Sequence, residues 1–164
     1  MNRSDERPIA YGKVLPLACL STIEITNGVW TVRVSEIEGI GPAYEAKLSE
    51  AGITTVERLL EKGATAKGRK EIAAATGIST ALVLRWVNIA DLFRIRGVGK
   101  QYSELLEAAG VDTVVELSKR VPVNLEAKMQ EVNAARNLVN KIPSLKQVQA
   151  WVEEARELPR IVTH

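Results

Sequence analysis

Residues 37–59 read IEGIGPAYEAKLSEAGITTVERL, and residues 95–117 read IRGVGKQYSELLEAAGVDTVVEL. At this offset of 58 residues, ten of 23 aligned positions are identical: Ile37/Ile95, Gly39/Gly97, Gly41/Gly99, Tyr44/Tyr102, Leu48/Leu106, Ala51/Ala109, Gly52/Gly110, Thr55/Thr113, Val56/Val114 and Leu59/Leu117. Chance rarely repeats the same glycine and apolar spacing, so the chain is read as a duplication. Each copy opens on apolar-Gly-apolar-Gly and continues in helical spacing. Two glycines around one apolar residue permit a tight turn between helices and clear its surface of side chains. Ile40 or Val98 then pins the turn to the core. N–H groups at the start of the next helix are left facing outward, and with the helix dipole they suit an anion. One or two backbone phosphates fit such a place without any base being read.

The helices have legible ends. Pro42 fits the first turn of a helix reaching about Ala51, and Gly52 suits its left-handed cap. Thr54 with Glu57 reads as a capping box opening a helix over 55–62. A Gly-punctuated basic loop precedes a helix near 66–76, which Gly77 can end. Ser79 can cap a helix of 80–90, with Leu82, Val83, Trp86 and Val87 in helical spacing. The second copy predicts helices over about 100–109 and 113–120, then 125–140 capped by Asn124. Ser144 and Gln147 form a second capping box, for a helix over 145–157. Trp151 takes the place of Trp86 at an offset of 65, so about seven residues are inserted, assigned to the long helix 125–140. Both tryptophans read as core anchors, and Tyr44 and Tyr102 as half-buried with wet hydroxyls.

Ahead of the repeats, residues 22–34 predict a β-hairpin. Asn27-Gly28 suits a type I′ turn, pairing Thr26 with Val29, Ile25 with Trp30, Glu24 with Thr31 and Ile23 with Val32. Ile23, Ile25, Trp30 and Val32 then share one face, a candidate surface for the helices or for a partner. Residues 1–20 have no periodicity and read as a loose arm.

Composition narrows the function. The 164 residues carry 22 Lys+Arg and 20 Asp+Glu, a net charge of +2, so any electrostatic site must be local. One cysteine, Cys19, allows neither an intramolecular disulfide nor a cysteine-cluster metal site. The single histidine, His164, cannot anchor a triad. There is no P-loop, and Gly97-Val98-Gly99 lacks the third glycine and preceding strand of a dinucleotide fingerprint. No apolar run reaches membrane-span length, and Val14–Leu20 is too short and Pro-broken for a lipoprotein signal. The expectation is a cytoplasmic, non-catalytic protein with no metal, no cofactor and no small-molecule substrate.

The two glycine motifs resemble the helix-hairpin-helix superfamily of non-sequence-specific DNA-binding modules. The tail of each copy, Ala-Gly-Ile/Val-x-Thr-Val-x-x-Leu, is similar to the C-terminal domain of the bacterial RNA polymerase α subunit. Residues 35–158 as a whole resemble a bacterial family of tandem helix-hairpin-helix proteins carried as a domain of unknown function. Phe93–Gly99 and Gln147–Trp151 add to that match. The resemblance implies a mainly α fold: two tandem helix-hairpin-helix units, 35–92 and 93–158, packed as one body. An N-terminal arm and β-hairpin (1–34) would precede them and a tail (159–164) follow.

The copies differ where a phosphate grip would matter. In the second, 80–96 supplies a leading helix, with a break at Asp91; in the first, only one turn precedes Gly39. Segment 35–44 carries Glu36 and Glu38 and no base, whereas 93–102 carries Arg94, Arg96 and Lys100 and no acid. The candidate nucleic-acid site is therefore Arg94, Arg96, Gly97, Val98, Gly99 and Lys100, with Gly39, Ile40, Gly41 and Pro42 as the weaker counterpart. Lys67, Arg69 and Lys70 could extend a basic track or form a solvated helix start. The expected partner is DNA, ahead of RNA, held independently of sequence. The alternative is a protein-interaction or scaffold module, including a homodimer through the N-terminal hairpin.

Overall fold

A computed structural model describes residues 23–26 and 29–164, with side-chain surroundings from Thr31 onward. The arm 1–20, Cys19, the Asn27-Gly28 turn and the side chains of Ile23, Ile25 and Trp30 lie outside the described residues. Strands β1 (Ile23–Thr26) and β2 (Val29–Val32) pair antiparallel in the register expected, Ile23 with Val32 and Ile25 with Trp30. A 3-10 turn (Val34–Glu36) leads into α1 (Pro42–Glu50), α2 (Val56–Gly63), α3 (Ala66–Thr76) and α4 (Thr80–Leu92). The second copy supplies α5 (Lys100–Ala108), α6 (Val114–Ser118), α7 (Pro122–Arg136) and α8 (Leu145–Glu157). The fold is mainly helical with a short β-hairpin at its N-terminal end.

Each copy builds its own apolar cluster. The first gathers Ile37, Ile40, Leu48, Leu59, Ile72, Val83 and Trp86; the second gathers Ile95, Val98, Leu105, Leu106, Leu117, Met129 and Trp151. Helix α4 belongs to both, since Val83, Trp86, Val87, Ile89 and Ala90 join the first cluster and Leu92 the second. Segment 159–164 does not hang free. Val162 is buried in the first cluster, and Thr163 donates its N–H to the Ala64 carbonyl at 2.9 Å. Arg69 is buried and gives its guanidinium to the carbonyls of Gly63, Ala64 and Thr163. It therefore joins neither a basic track nor a solvated helix face; its task is to strap the chain end to α2 and α3.

Four helix boundaries differ from the sequence reading, and both local and longer-range groups set them. Thr55, not Thr54, caps α2, accepting the Arg58 N–H at 3.2 Å. Thr54 is occupied in extending the hairpin, its carbonyl taking the Val34 N–H at 2.9 Å beside an Arg33–Thr55 bridge. Glu57 accordingly closes no capping box; its carboxylate accepts the Val32 N–H at 3.3 Å. Helix α7 starts at Pro122 rather than after Asn124, proline being preset for the first helical position. It ends at Arg136 because Asn137 turns left-handed and Asn133 pairs with both backbone groups of Val139. The insertion in copy two is thus shared between α7 and the loop that follows. The break expected at Asp91 falls after Leu92, where Arg94 and Ile95 N–H groups close a tight turn.

Val34 has no exposed surface, and Val32 packs against the first cluster. Of the candidate partner face, Val32 is therefore spent within the molecule. Burial pushes the Glu57 carboxyl above its ordinary value of 4.5, against the lowering effect of its backbone hydrogen bonds. A raised folded-state pKa means that the stabilisation is full below 4.5 and is lost as pH rises through the raised value. Glu57→Gln keeps an acceptor for Val32 without the charge. We expect its melting temperature at pH 7 to equal or exceed that of the wild type, with the difference closing below pH 4.5. A Gln variant as unstable at pH 7 as Glu57→Ala would overturn this account.

Candidate nucleic-acid interface at the glycine turns

The two glycines of each turn have different jobs. Gly39 and Gly97 sit at φ 91° and 83°, where an L side chain is strained. A Cβ on Gly39 would also lie 3.3 Å from the Trp86 indole nitrogen, and one on Gly97 3.7 Å from that of Trp151. Each turn therefore rests on the tryptophan of its unit's last helix. Tyr44 and Tyr102 complete the support, their rings 5.1 and 5.2 Å from Trp86 and Trp151. The tryptophans differ in one bond. Trp151 donates its indole N–H to the Arg96 carbonyl at 3.1 Å, while the buried Trp86 indole N–H has no partner among the described residues. Tyr102 gives its hydroxyl to the Lys141 carbonyl.

Gly41 and Gly99 are ordinary in conformation, at φ −83° and −112°, and a Cβ on either would meet nothing within 4 Å. They are the N-caps of α1 and α5, and neither helix has a side-chain cap. By contrast Thr55, Thr65, Ser79, Thr113 and Ser144 cap α2, α3, α4, α6 and α8 with their side chains. The first backbone bond of α5 is from Ser103 to Gly99, so the N–H groups of Lys100, Gln101 and Tyr102 lie ahead of it.

The cations around the second turn separate into three cases. Arg94 is buried and paired with the buried Asp91 at 2.7 Å, and it also donates to the Pro159 carbonyl. Asp91 in turn accepts the Val114 N–H at 2.9 Å, holding the start of α6. Arg94 therefore leaves the candidate site: the sequence reading placed it on a basic face, and the structure places it in the core. Val98 is also buried and anchors the turn rather than touching a ligand. Arg96 is exposed, with Glu154 accepting from its backbone N–H at 3.2 Å and its Nε at 3.3 Å. Lys100 is exposed and paired with Glu38 of the first turn at 3.2 Å. Ile40 is buried like Val98, and Pro42 is exposed at the start of α1.

The Lys100–Glu38 contact sets the two turns side by side. Glu104 is raised by burial and then by Glu38 and Glu107, while Glu107 takes both Nε and Nη2 of Arg85 from α4. Opposite charges thus interlock between the units. Sequence reasoning missed Glu154, which is 58 residues from Arg96, and treated Glu38 only as a repulsive charge. The matched Trp86 and Trp151 were the one available signal for what lies beneath the turns. Among the described residues, no group of three or more His, Cys, Asp or Glu could hold a metal ion, and no helix is long and apolar enough to cross a membrane.

Residues 38–158 match the family model described as domain of unknown function DUF4332. The chain belongs to that family. The matched span opens at Glu38 in the first turn and closes at Leu158 after α8, so both turns fall within the family domain. No curated protein and no solved structure matches the chain significantly.

Two sets of variants test the geometry of this DUF4332 domain. Gly39→Ala and Gly97→Ala should each lose about 1–2 kcal/mol in urea unfolding from left-handed strain, whereas Gly41→Ala and Gly99→Ala should unfold close to the wild type. Arg94→Ala, which strands the buried Asp91, should lose about 3–5 kcal/mol. Arg96→Ala should stay within about 1 kcal/mol, as exposed pairs do. Equal losses at positions 94 and 96 would contradict the assignment of Arg94 to the core.

Proposed function

We propose that this domain is a non-catalytic nucleic-acid-binding module that holds a DNA backbone, without reading bases, at the second glycine turn. The observation that carries the reading is Gly99, with Gly41 as its counterpart. Neither conformation nor packing requires a glycine there, yet both copies have one at an uncapped helix start. A residue without a side chain at that place lets a bulky anion approach the N–H groups of α5. Arg96 and Lys100 flank the approach on the exposed side. The tandem arrangement of two such turns is what a pair of helix-hairpin-helix units would present to a duplex backbone. Glycine is also a fair N-cap by itself, so the test must separate capping from access.

Binding of labelled duplex and single-stranded DNA at two salt concentrations provides that test. Wild type should bind at low salt and weaken steeply as salt rises, because phosphate contacts release counterions. Arg96→Glu/Lys100→Glu should abolish binding. Gly99→Leu should keep the fold and lose at least about tenfold in affinity, since a side chain blocks a contact worth the 1.5–3 kcal/mol of a charged hydrogen bond. No binding at low salt, or binding indifferent to the double change, would sink the proposal.

One observation favours a protein partner instead. Val121 and Val123 stand 57% and 55% exposed where α7 begins, beside Lys119, Arg120 and Lys128. Under that reading the domain would be a scaffold module, and DNA would leave it unaffected at every salt concentration.

A further inference from the structure

The two exposed cations of the second turn are already engaged by carboxylates, and the carboxylates come from elsewhere in the fold. Glu154 on α8 touches Arg96 twice, at the backbone N–H and at Nε, as one phosphate could. Glu38 comes from the first turn and reaches Lys100 across the junction between the units. Both arrangements put an anion where the proposed ligand would place one. We infer that Glu38 and Glu154 are built-in competitors for the phosphate site, setting an affinity threshold that a polyanion must exceed. The inference rests on the nucleic-acid reading above and concerns the regulation of that same site.

Exposure decides that these pairs can exchange. The Arg96 side chain is 69% exposed with Glu154 at 22%, and that of Lys100 47% with Glu38 at 40%, in contrast to Asp91 and Arg94 at 2% and 1%. An exposed pair is weakly held and readily replaced by another anion, whereas a buried pair is fixed. Breaking the Arg96–Glu154 and Lys100–Glu38 contacts requires no movement of backbone, because the turn is pinned separately by Val98 and Trp151. The first turn therefore acts on the second through charge: its acid neutralises the cation that its own sequence lacks.

The experiment compares three forms of the full chain for binding to a short labelled duplex at low salt. They are the wild type, Glu38→Gln/Glu154→Gln, and the control Glu61→Gln/Glu71→Gln. The control also removes two exposed carboxylates from ion pairs, with Arg58 and Lys67, but away from the turns. The competitor pair should tighten binding on the order of tenfold, the scale that two exposed ion pairs allow, and the control should not. Melting curves confirm that all three fold alike. Wild-type binding that tightens equally in both variants would mean that net charge alone is read, overturning the inference. Wild-type binding that does not tighten in Glu38→Gln/Glu154→Gln would overturn the inference and leave the nucleic-acid reading standing. Absence of binding in every form would remove both.

Discussion

The buried Asp91–Arg94 pair is the joint on which the second unit turns. Asp91 lies in the last turn of α4, accepts the first N–H of α6 and neutralises Arg94, whose guanidinium also reaches the Pro159 carbonyl. Four segments of chain meet at one carboxylate–guanidinium contact. A buried pair is not a net source of much stability, because desolvating both charges offsets most of their attraction. Its value is geometric. Either charge left alone would be expensive, so the path from α4 to the glycine turn has one satisfied arrangement. That path sets where Arg96 emerges, two residues later, on the solvent side.

In the first unit a different device does the equivalent work. Instead of a carboxylate from a preceding helix, the extended chain after β2 pairs with Thr54 and Thr55, and Glu57 in the first turn of α2 reaches back to Val32. The β-hairpin thus replaces the leading helix that the second copy has in α4. Trp86 keeps its place under Gly39 without the hydrogen bond that Trp151 makes to Arg96. Packing of the indole against the turn is common to both units, while the polar detail belongs to one. What duplication preserved is steric: the left-handed glycine, the tryptophan beneath it and the tyrosine beside it.

Much of this was legible from short-range signals. Gly52, Gly77 and Gly110 end helices in left-handed geometry, Ser79 and Ser144 cap them, and Asn27-Gly28 set a strand register that the backbone follows. These choices involve residues within a few positions of one another, so local chemistry decides them. The misreadings arose where a distant group competed. Thr55 caps α2 while the Thr54 carbonyl takes the Val34 N–H, and Arg69 was claimed by a carbonyl 94 residues away. The candidate site was half legible for the same reason. The glycines and cations were visible as a motif, but the carboxylates on Arg96 and Lys100 come from α8 and from the other turn. Arg94 is the exception, since an acid three residues before a base at a helix end was in plain view and could have signalled a buried pair.

The pairing of charges between the turns also bears on how a ligand would arrive. With 22 basic and 20 acidic residues and the two turns neutralising each other, the surface has little long-range field to steer a polyanion. On the proposed reading, recognition would have to come at contact distance, from N–H groups and from cations released when phosphate displaces a carboxylate. Under the proposed nucleic-acid reading, such a site would discriminate against isolated anions. A single phosphate would have to break one ion pair for one new contact, with no net gain in charge pairing. A nucleic-acid backbone presents neighbouring phosphates at fixed spacing and can relieve Arg96 and Lys100 together, the second displacement being nearly intramolecular once the first has occurred. If the site binds phosphate as proposed, one acid per cation would favour a polymer over its monomers, by the same local electrostatics that keep the net charge at +2.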